Sequence, residues 1–241
     1  ILNHNLPEWT DRLYNALKPY ERDDYDTLIF DNGSKPEGIS EHTTFRSEEN
    51  LYFGGGFHAG MQVVLEDDQY DSMLFLNNDL TVFGYNFVKT LRQEMVRYGL
   101  DVVSPCFYNV EPEGQCHWKT MHNWGAEHNR VVPFIDFQCP LISKRLLKEV
   151  DQIDADLIYG WGVDAYLAIL CKQKGWKMAV LDNVSVLHHN SLTVKSGVAN
   201  LNMADYCKNA EIGQYNFFHK NNLMTEFHEV RNGGVHYSFT K

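Results

Sequence analysis

Met73-Leu74-Phe75-Leu76-Asn77-Asn78-Asp79 runs four apolar residues directly into two amides and a carboxylate. So short and uninterrupted an apolar run reads as a strand buried on both faces, and the polar triplet as the turn it delivers. Upstream, Thr27-Leu28-Ile29-Phe30 repeats the pattern and ends in Asp31-Asn32-Gly33-Ser34, and Thr43 to Arg46 is a weaker strand candidate. Gly54-Gly55-Gly56 leads into a short helix through Met61, Val64 and Leu65, and Val88, Leu91 and Met95 share one face of a helix over about 85–98. Ile1-Leu2-Asn3 looks like the end of a further strand, followed from about Pro7 by a helix with Trp9, Leu13, Ala16 and Leu17 on one face and Pro19 at its end. This alternation predicts an α/β fold with a doubly wound, mainly parallel sheet flanked by helices, and a ligand site beyond the carboxyl ends of the strands.

After a strand at 101–104 the character changes. Residues 106–140 are rich in aromatics, His and Gly and read as hairpins and loops, where acceptor recognition is expected. A helix over 163–174 closes at Gly175, two short strands (178–181 and 184–187) end at His188-His189, and a helix over about 203–218 precedes a polar tail through Asn232-Gly233-Gly234.

The 241 residues suit one α/β domain, and 44% hydrophobic and 13% aromatic content supply its core. With 21 Lys plus Arg against 32 Asp plus Glu, the formal charge of -11 disfavours a nucleic-acid partner. Five cysteines, odd in number and without a CxxC pair, suggest a reducing, cytoplasmic setting. No run approaches the roughly 20 apolar residues of a membrane span. Peripheral association with a membrane-bound acceptor stays open, without support from the acidic balance.

Each motif has a bland reading beside a functional one. Asp31 to Ser34 offers a carboxylate to a nucleobase or ribose, or is a β-turn with a favourable Asn-Gly pair. Asn50 to Gly60 carries glycines that would let backbone amides approach a ligand, or simply pack on the sheet; it lacks the lysine of a phosphate-binding P-loop. Asn77, Asn78 and Asp79 supply hard oxygens for Mg²⁺ or Mn²⁺ holding a diphosphate, or form an ordinary strand-ending turn. Tyr159-Gly160-Trp161-Gly162-Val163-Asp164 sets an indole between glycines and a carboxylate at a helix start, where acids are common for structural reasons. His188 and His189 include one candidate ligand, whereas Cys116, His117 and His122 match no standard metal spacing.

The order of these pieces resembles glycosyltransferase family 2, especially its rhamnosyltransferase-like members, over about residues 1–195. Asn3-His4-Asn5 resembles the family's first polar turn, and Asp31 to Ser34 its Asp-x-Gly-Ser turn. Asn50 to Met61 resembles its glycine-rich segment, and Leu76 to Asp79 the Asn-Asn-Asp version of its DxD motif. Asp136 to Arg145, with Cys139, resembles the acceptor-side segment, Asp164 the catalytic acid before its helix, and His188 the histidine completing the metal site.

The resemblance implies a GT-A fold, with a nucleotide-sugar half over about 1–105, an acceptor half over about 106–195 and a helical extension over 196–241. Asn3, Asn5, Asp31, Asn50, Phe53, Gly55, His58, Asn77 and Asn78 would bind a UDP-, dTDP- or GDP-linked donor. Trp161, Gly162 and Cys139 would face a glycan or glycolipid acceptor, as in polysaccharide biosynthesis. Asp79 and His188 would hold Mn²⁺ or Mg²⁺. The chain departs from the family at Asn77, where a first acid is missing, at Val163, where many members carry a second acid, and at His58, which replaces an Asn.

The expected activity is inverting sugar transfer with Asp164 as general base. No Ser-His or Cys-His pair supports a covalent route. The rivals are a catalytically silent sugar-binding module and a sugar nucleotidyltransferase, separable by what a donor releases.

Overall fold

The computed structural model describes residues 1–21, 25–83, 86–108, 118–126, 129–150, 152–189, 192, 202–232 and 238–239. Strands β1 (Leu2–Asn3), β2 (Phe30–Asn32) and β3 (Phe45–Ser47) pair in parallel in the order β1-β2-β3. Beyond β1 comes β4 (Ser72–Leu74): the Leu2 N–H donates to the carbonyl of Leu76, and Leu2 bridges Asn77 in parallel. The sheet continues through β8 (Leu141–Ser143), β6 (Val102–Phe107), β9 (Met178–His188), β7 (Arg130–Val131) and β10 (Ser238–Phe239). Strand β8 runs against both β4 and β6, and β6 runs with β9, so β3, β2, β1, β4, β6 and β9 share one direction with β8 reversed among them. Strand β5 (Leu80–Val82) pairs antiparallel with the end of β9, so that Leu80 faces His188.

The helices form for local reasons. Pro7 opens α1 (Pro7–Leu17), which buries Leu13 and Leu17. The Asn86 side chain accepts the Lys89 N–H and caps α3 (Phe87–Tyr98), whose Val88, Leu91 and Met95 are buried. Helix α5 (Val163–Lys174) ends where Gly175, at φ 68°, turns its N–H back to the carbonyls of Cys171 and Lys172. Helix α4 (Lys144–Val150) follows β8 directly.

Three expectations change. Helix α2 (Tyr52–Glu66) is long and contains the glycine triplet rather than following it. The two strands expected over 178–187 are one, because three extra residues between Leu181 and Ser185 are absorbed as a bulge opposite Pro105 and Cys106. Regular pairing of β2 begins only at Phe30, since the Ile29 carbonyl accepts from both Thr44 and Phe45.

The C-terminal segment docks on the domain. Helices α6 (Met203–Lys220) and α7 (Met224–Asn232) place Phe217, Phe218, Phe227 and Val230 in the same hydrophobic core as the sheet. Among the described residues no helix is long and apolar enough to cross a membrane. Cys116, His117, Gly233 and Gly234 lie outside the described residues.

Candidate functional site

The polar turns after β1, β2 and β4 meet at the carboxyl ends of the strands. Asn3 is wholly buried and works as a hub. Its Nδ2 donates to Asp31 Oδ2 (2.9 Å) and the Gly38 carbonyl (2.9 Å), and its Oδ1 accepts from Thr10 (2.8 Å). Asn78 joins it by donating to Thr10 Oγ1 at 3.1 Å. Asp31 is wholly buried as well, accepting the Ser34 N–H at 3.1 Å on the oxygen that faces Arg46 Nε at 3.2 Å.

A second frame lies nearer the surface. His4 Nδ1 sits 2.8 Å from the Asn32 carbonyl, so it carries the proton and leaves Nε2 to accept. The amides of Asn5 (3.2 Å) and Asn50 (3.3 Å) point at that Nε2, and both orientations are fixed. Asn5 Oδ1 accepts the Lys35 N–H, and Asn50 Oδ1 the Tyr52 N–H, each at 2.8 Å. The same contacts hold Tyr52 at φ 53°, an uncommon backbone for an aromatic residue.

Asp79 and His188 come together where β5 meets the end of β9. His188 Nε2 lies 3.1 Å from Asp79 Oδ1, the Leu192 N–H donates to Oδ2 at 3.2 Å, and both side chains are buried. Burial alone would raise the Asp79 carboxyl, but attraction to His188, its hydrogen bond and the Leu192 N–H leave it below the usual range. His188 Nδ1 is buried without a hydrogen-bond partner among the described residues. His189 turns away to Thr81 Oγ1 (2.8 Å) and the Trp9 ring.

Asp164 occupies the first turn of α5, its Oδ1 accepting the Ala165 N–H at 2.7 Å. A helix N-terminus favours an anion. Here burial, then repulsion from Asp136, prevail over that hydrogen bond and over Arg231 of α7, and push the carboxyl up to about 7. The Asp136 segment runs beside the Asn77 turn, with the Asn77 N–H donating to the Gln138 carbonyl. Trp161 is 41% exposed between Gly160 (φ 94°) and Gly162 (φ 93°), a backbone only glycine adopts without strain.

Helix α6 clamps this acidic turn. Tyr206 donates to the Tyr159 carbonyl at 2.7 Å, Lys220 reaches Asp154 (2.8 Å) and Asp156 (2.5 Å), and Gly213 passes so close that a Cβ there would meet the Asp156 carbonyl at 2.1 Å.

Residues 1–349 of S. aureus TarS superpose on 97% of this chain and 70% of their own, with a TM-score of 0.57 and 15% identity. The same fragment solved with UDP gives a TM-score of 0.56 at 16% identity over 95% of this chain and 70% of its own, and with UDP-GlcNAc 0.54 at 14% over 97% and 73%. The fold is of the GT-A type. No protein-family model matches the chain. Uncharacterized proteins of Mycobacterium bovis and Mycobacterium tuberculosis are 23% identical over 186 residues, spanning 73% of this chain and 68% of each relative.

Within this GT-A fold the expected site residues divide into two groups. Asn5, Asn50, Asn77, Trp161 and Asp164 keep partial exposure, and Asp79 and His188 pair with each other in a buried contact. The others are placed elsewhere. Asn3 and Asp31 are enclosed by their own partners, and Asn78 is nearly so. Cys139 has no exposure and belongs to the core, and burial pushes its thiol far up, so it presents nothing to an acceptor.

Gly55 faces Leu51 and Ile158, while Gly54 donates its N–H to the Ile158 carbonyl at 2.8 Å. The glycines therefore let α2 pack on that turn rather than admit a ligand. Phe53 packs edge-on against Phe75 and beside Gly160. His58 meets the Ile153 N–H, away from the asparagine frame. Gly162 packs against Phe218 and Gln214. Sequence reasoning gave no role to His4, Tyr52 or Arg231; His4 and Tyr52 lie inside segments it singled out, Asp136 opens the segment expected on the acceptor side, and Arg231 carried no signal.

Proposed function

We propose that the chain is an inverting glycosyltransferase that moves a sugar from a nucleoside-diphosphate donor to an acceptor hydroxyl. The observation that carries this reading is Asp164, a carboxyl raised to about 7 beside Asp136 and next to the exposed Trp161. A base with that pKa is ionised in about half the molecules at neutral pH, and general-base catalysis supplies about 10²–10⁴-fold. Asp164 would take the proton of the attacking hydroxyl while Trp161 offers a face to the acceptor sugar.

The Asp79 carboxylate and His188 imidazole aim at one another and suit Mn²⁺ or Mg²⁺ in donor type, and a buried polar Nδ1 lies in the same ring. Among the described residues no group of three or more His, Cys, Asp or Glu could enclose a metal, so the donor's diphosphate would complete the shell. A metal there supplies Lewis-acid neutralisation of the leaving diphosphate. The UDP and UDP-GlcNAc complexes of TarS make UDP-sugars the first donors to try. The Asn-Asn-Asp turn supports a place among rhamnosyltransferase-like members of family 2, with a glycan or glycolipid acceptor.

The test is release of nucleoside diphosphate from UDP-, dTDP- and GDP-sugars with Mn²⁺ and a glycan acceptor panel. Release that Asp164→Asn abolishes supports the reading. A folded chain that binds glycan but turns over no donor overturns it in favour of a silent sugar-binding module, and pyrophosphate released when a nucleoside triphosphate and a sugar 1-phosphate are supplied instead points to nucleotidyl transfer.

A further inference from the structure

Asp31 is expected at the nucleobase, yet it has no surface to offer one. Its oxygens are taken by Asn3 Nδ2, the Ser34 N–H and Arg46 Nε, and its exposure is zero. Its negative charge holds Arg46 in place instead. Arg46 lies mid-β3 with its side chain 43% exposed, and its guanidinium is fixed at two points, Nε facing Asp31 at 3.2 Å and Nη2 donating to the Ser34 carbonyl at 2.6 Å. Ser34 also ties this group to the site rim, because its Oγ accepts the Asn5 N–H at 2.8 Å. A guanidinium has five N–H donors, so most remain for a ligand, on a side chain whose ordering cost is already met by the fold.

The geometry points to Arg46 as the residue that reads the donor's base, donating to the C4 oxygen of uracil or the C6 oxygen of guanine. A phosphate is the less fitting partner because of where Arg46 stands in the sheet. Three strand spacings, roughly 14 Å, separate β3 from β4 and the Asp79 turn, where the diphosphate is placed. Base and diphosphate lie at opposite ends of a nucleotide, and the two groups lie at opposite sides of this frame. Asp31 is then a positioning residue for Arg46. The inference rests on the nucleotide-sugar reading above.

The test is calorimetric binding of UDP, CDP, GDP and ADP to the whole chain, with melting temperature as the folding control. The wild type should prefer the member of each pair that has an oxygen where the other has an amino group, UDP over CDP or GDP over ADP, by about 10- to 100-fold, the range of a hydrogen bond to a charged group. Arg46→Gln should bring that ratio to within a few-fold. Arg46→Lys, which keeps the charge but not the two-point hold, should do nearly the same while staying folded. A preference that survives both substitutions, or a wild type with none, overturns the role of Arg46 alone. Failure of the folded wild type to bind any nucleotide overturns the donor reading, and this inference with it.

Discussion

Asp79 and His188, one closing the turn after β4 and the other ending β9, meet at 3.1 Å in a buried contact that joins the two halves of the sheet. Because the contact holds the Asp79 carboxyl below its usual range, the stability it contributes is present above about pH 4 and lost as the pH falls through the folded value.

Asp79→Ala should therefore lower the melting temperature at pH 7, and the deficit should shrink below pH 4. It should also weaken donor binding in Mn²⁺ and remove its metal dependence. Thermal shift with UDP, with and without Mn²⁺, checks both, and an unchanged metal response would remove Asp79 from the metal site.

Asp164→Asn should cost transfer about 10²–10⁴-fold and leave donor affinity within a few-fold. Wild-type transfer should rise with pH through about 7, as the base ionises. The raised carboxyl also makes folding less favourable as pH rises from about 4 to 7. The variant escapes that loss, so its melting temperature should exceed the wild type's by a margin that widens over this range and levels off above it.

Arg130 and Asp182 form a buried ion pair at 2.6 Å, with further bonds from Arg130 to the carbonyls of Thr120 and His122. Asp182 Oδ2 accepts the N–H groups of Trp124 and Ala126, so the pair organises the 118–126 loop. Removing one partner strands a buried charge. Arg130→Met should cost about 3–5 kcal/mol in urea unfolding and disturb Trp124 emission.

Gly213→Ala places a Cβ 2.1 Å from the Asp156 carbonyl, so α6 must lift from the turn that carries Trp161 and Asp164. Overpacking of this kind costs about 1–3 kcal/mol. Transfer should fall more than UDP binding, and parallel assays of the two would show the split.

Where sequence succeeded, a local signal was enough. The end of α5 follows from one glycine beyond an apolar-periodic run, and the Asp79 turn from four apolar residues that stop abruptly. The failures share a different cause. Asn3 and Asp31 look like surface residues because the groups that satisfy them, Thr10, Gly38 and Arg46, arrive from other elements. Helix α7 looks like tail in the sequence because only Phe227 and Val230 mark its buried face. The pairing of Asp136 with Asp164 has no signature within either segment.

Strand β8 has a consequence for how the chain assembles. It is the reversed strand that separates β4 from β6, and it comes later in the chain than both. Until residues 141–143 emerge from synthesis, β4 and β6 each present an open edge to other chains. Closing the centre of the sheet then requires long-range pairing, the slow kind of folding event. The period of greatest aggregation risk should begin once Phe107 has been made, ease when β8 slides in, and end only when β9 covers the other edge of β6.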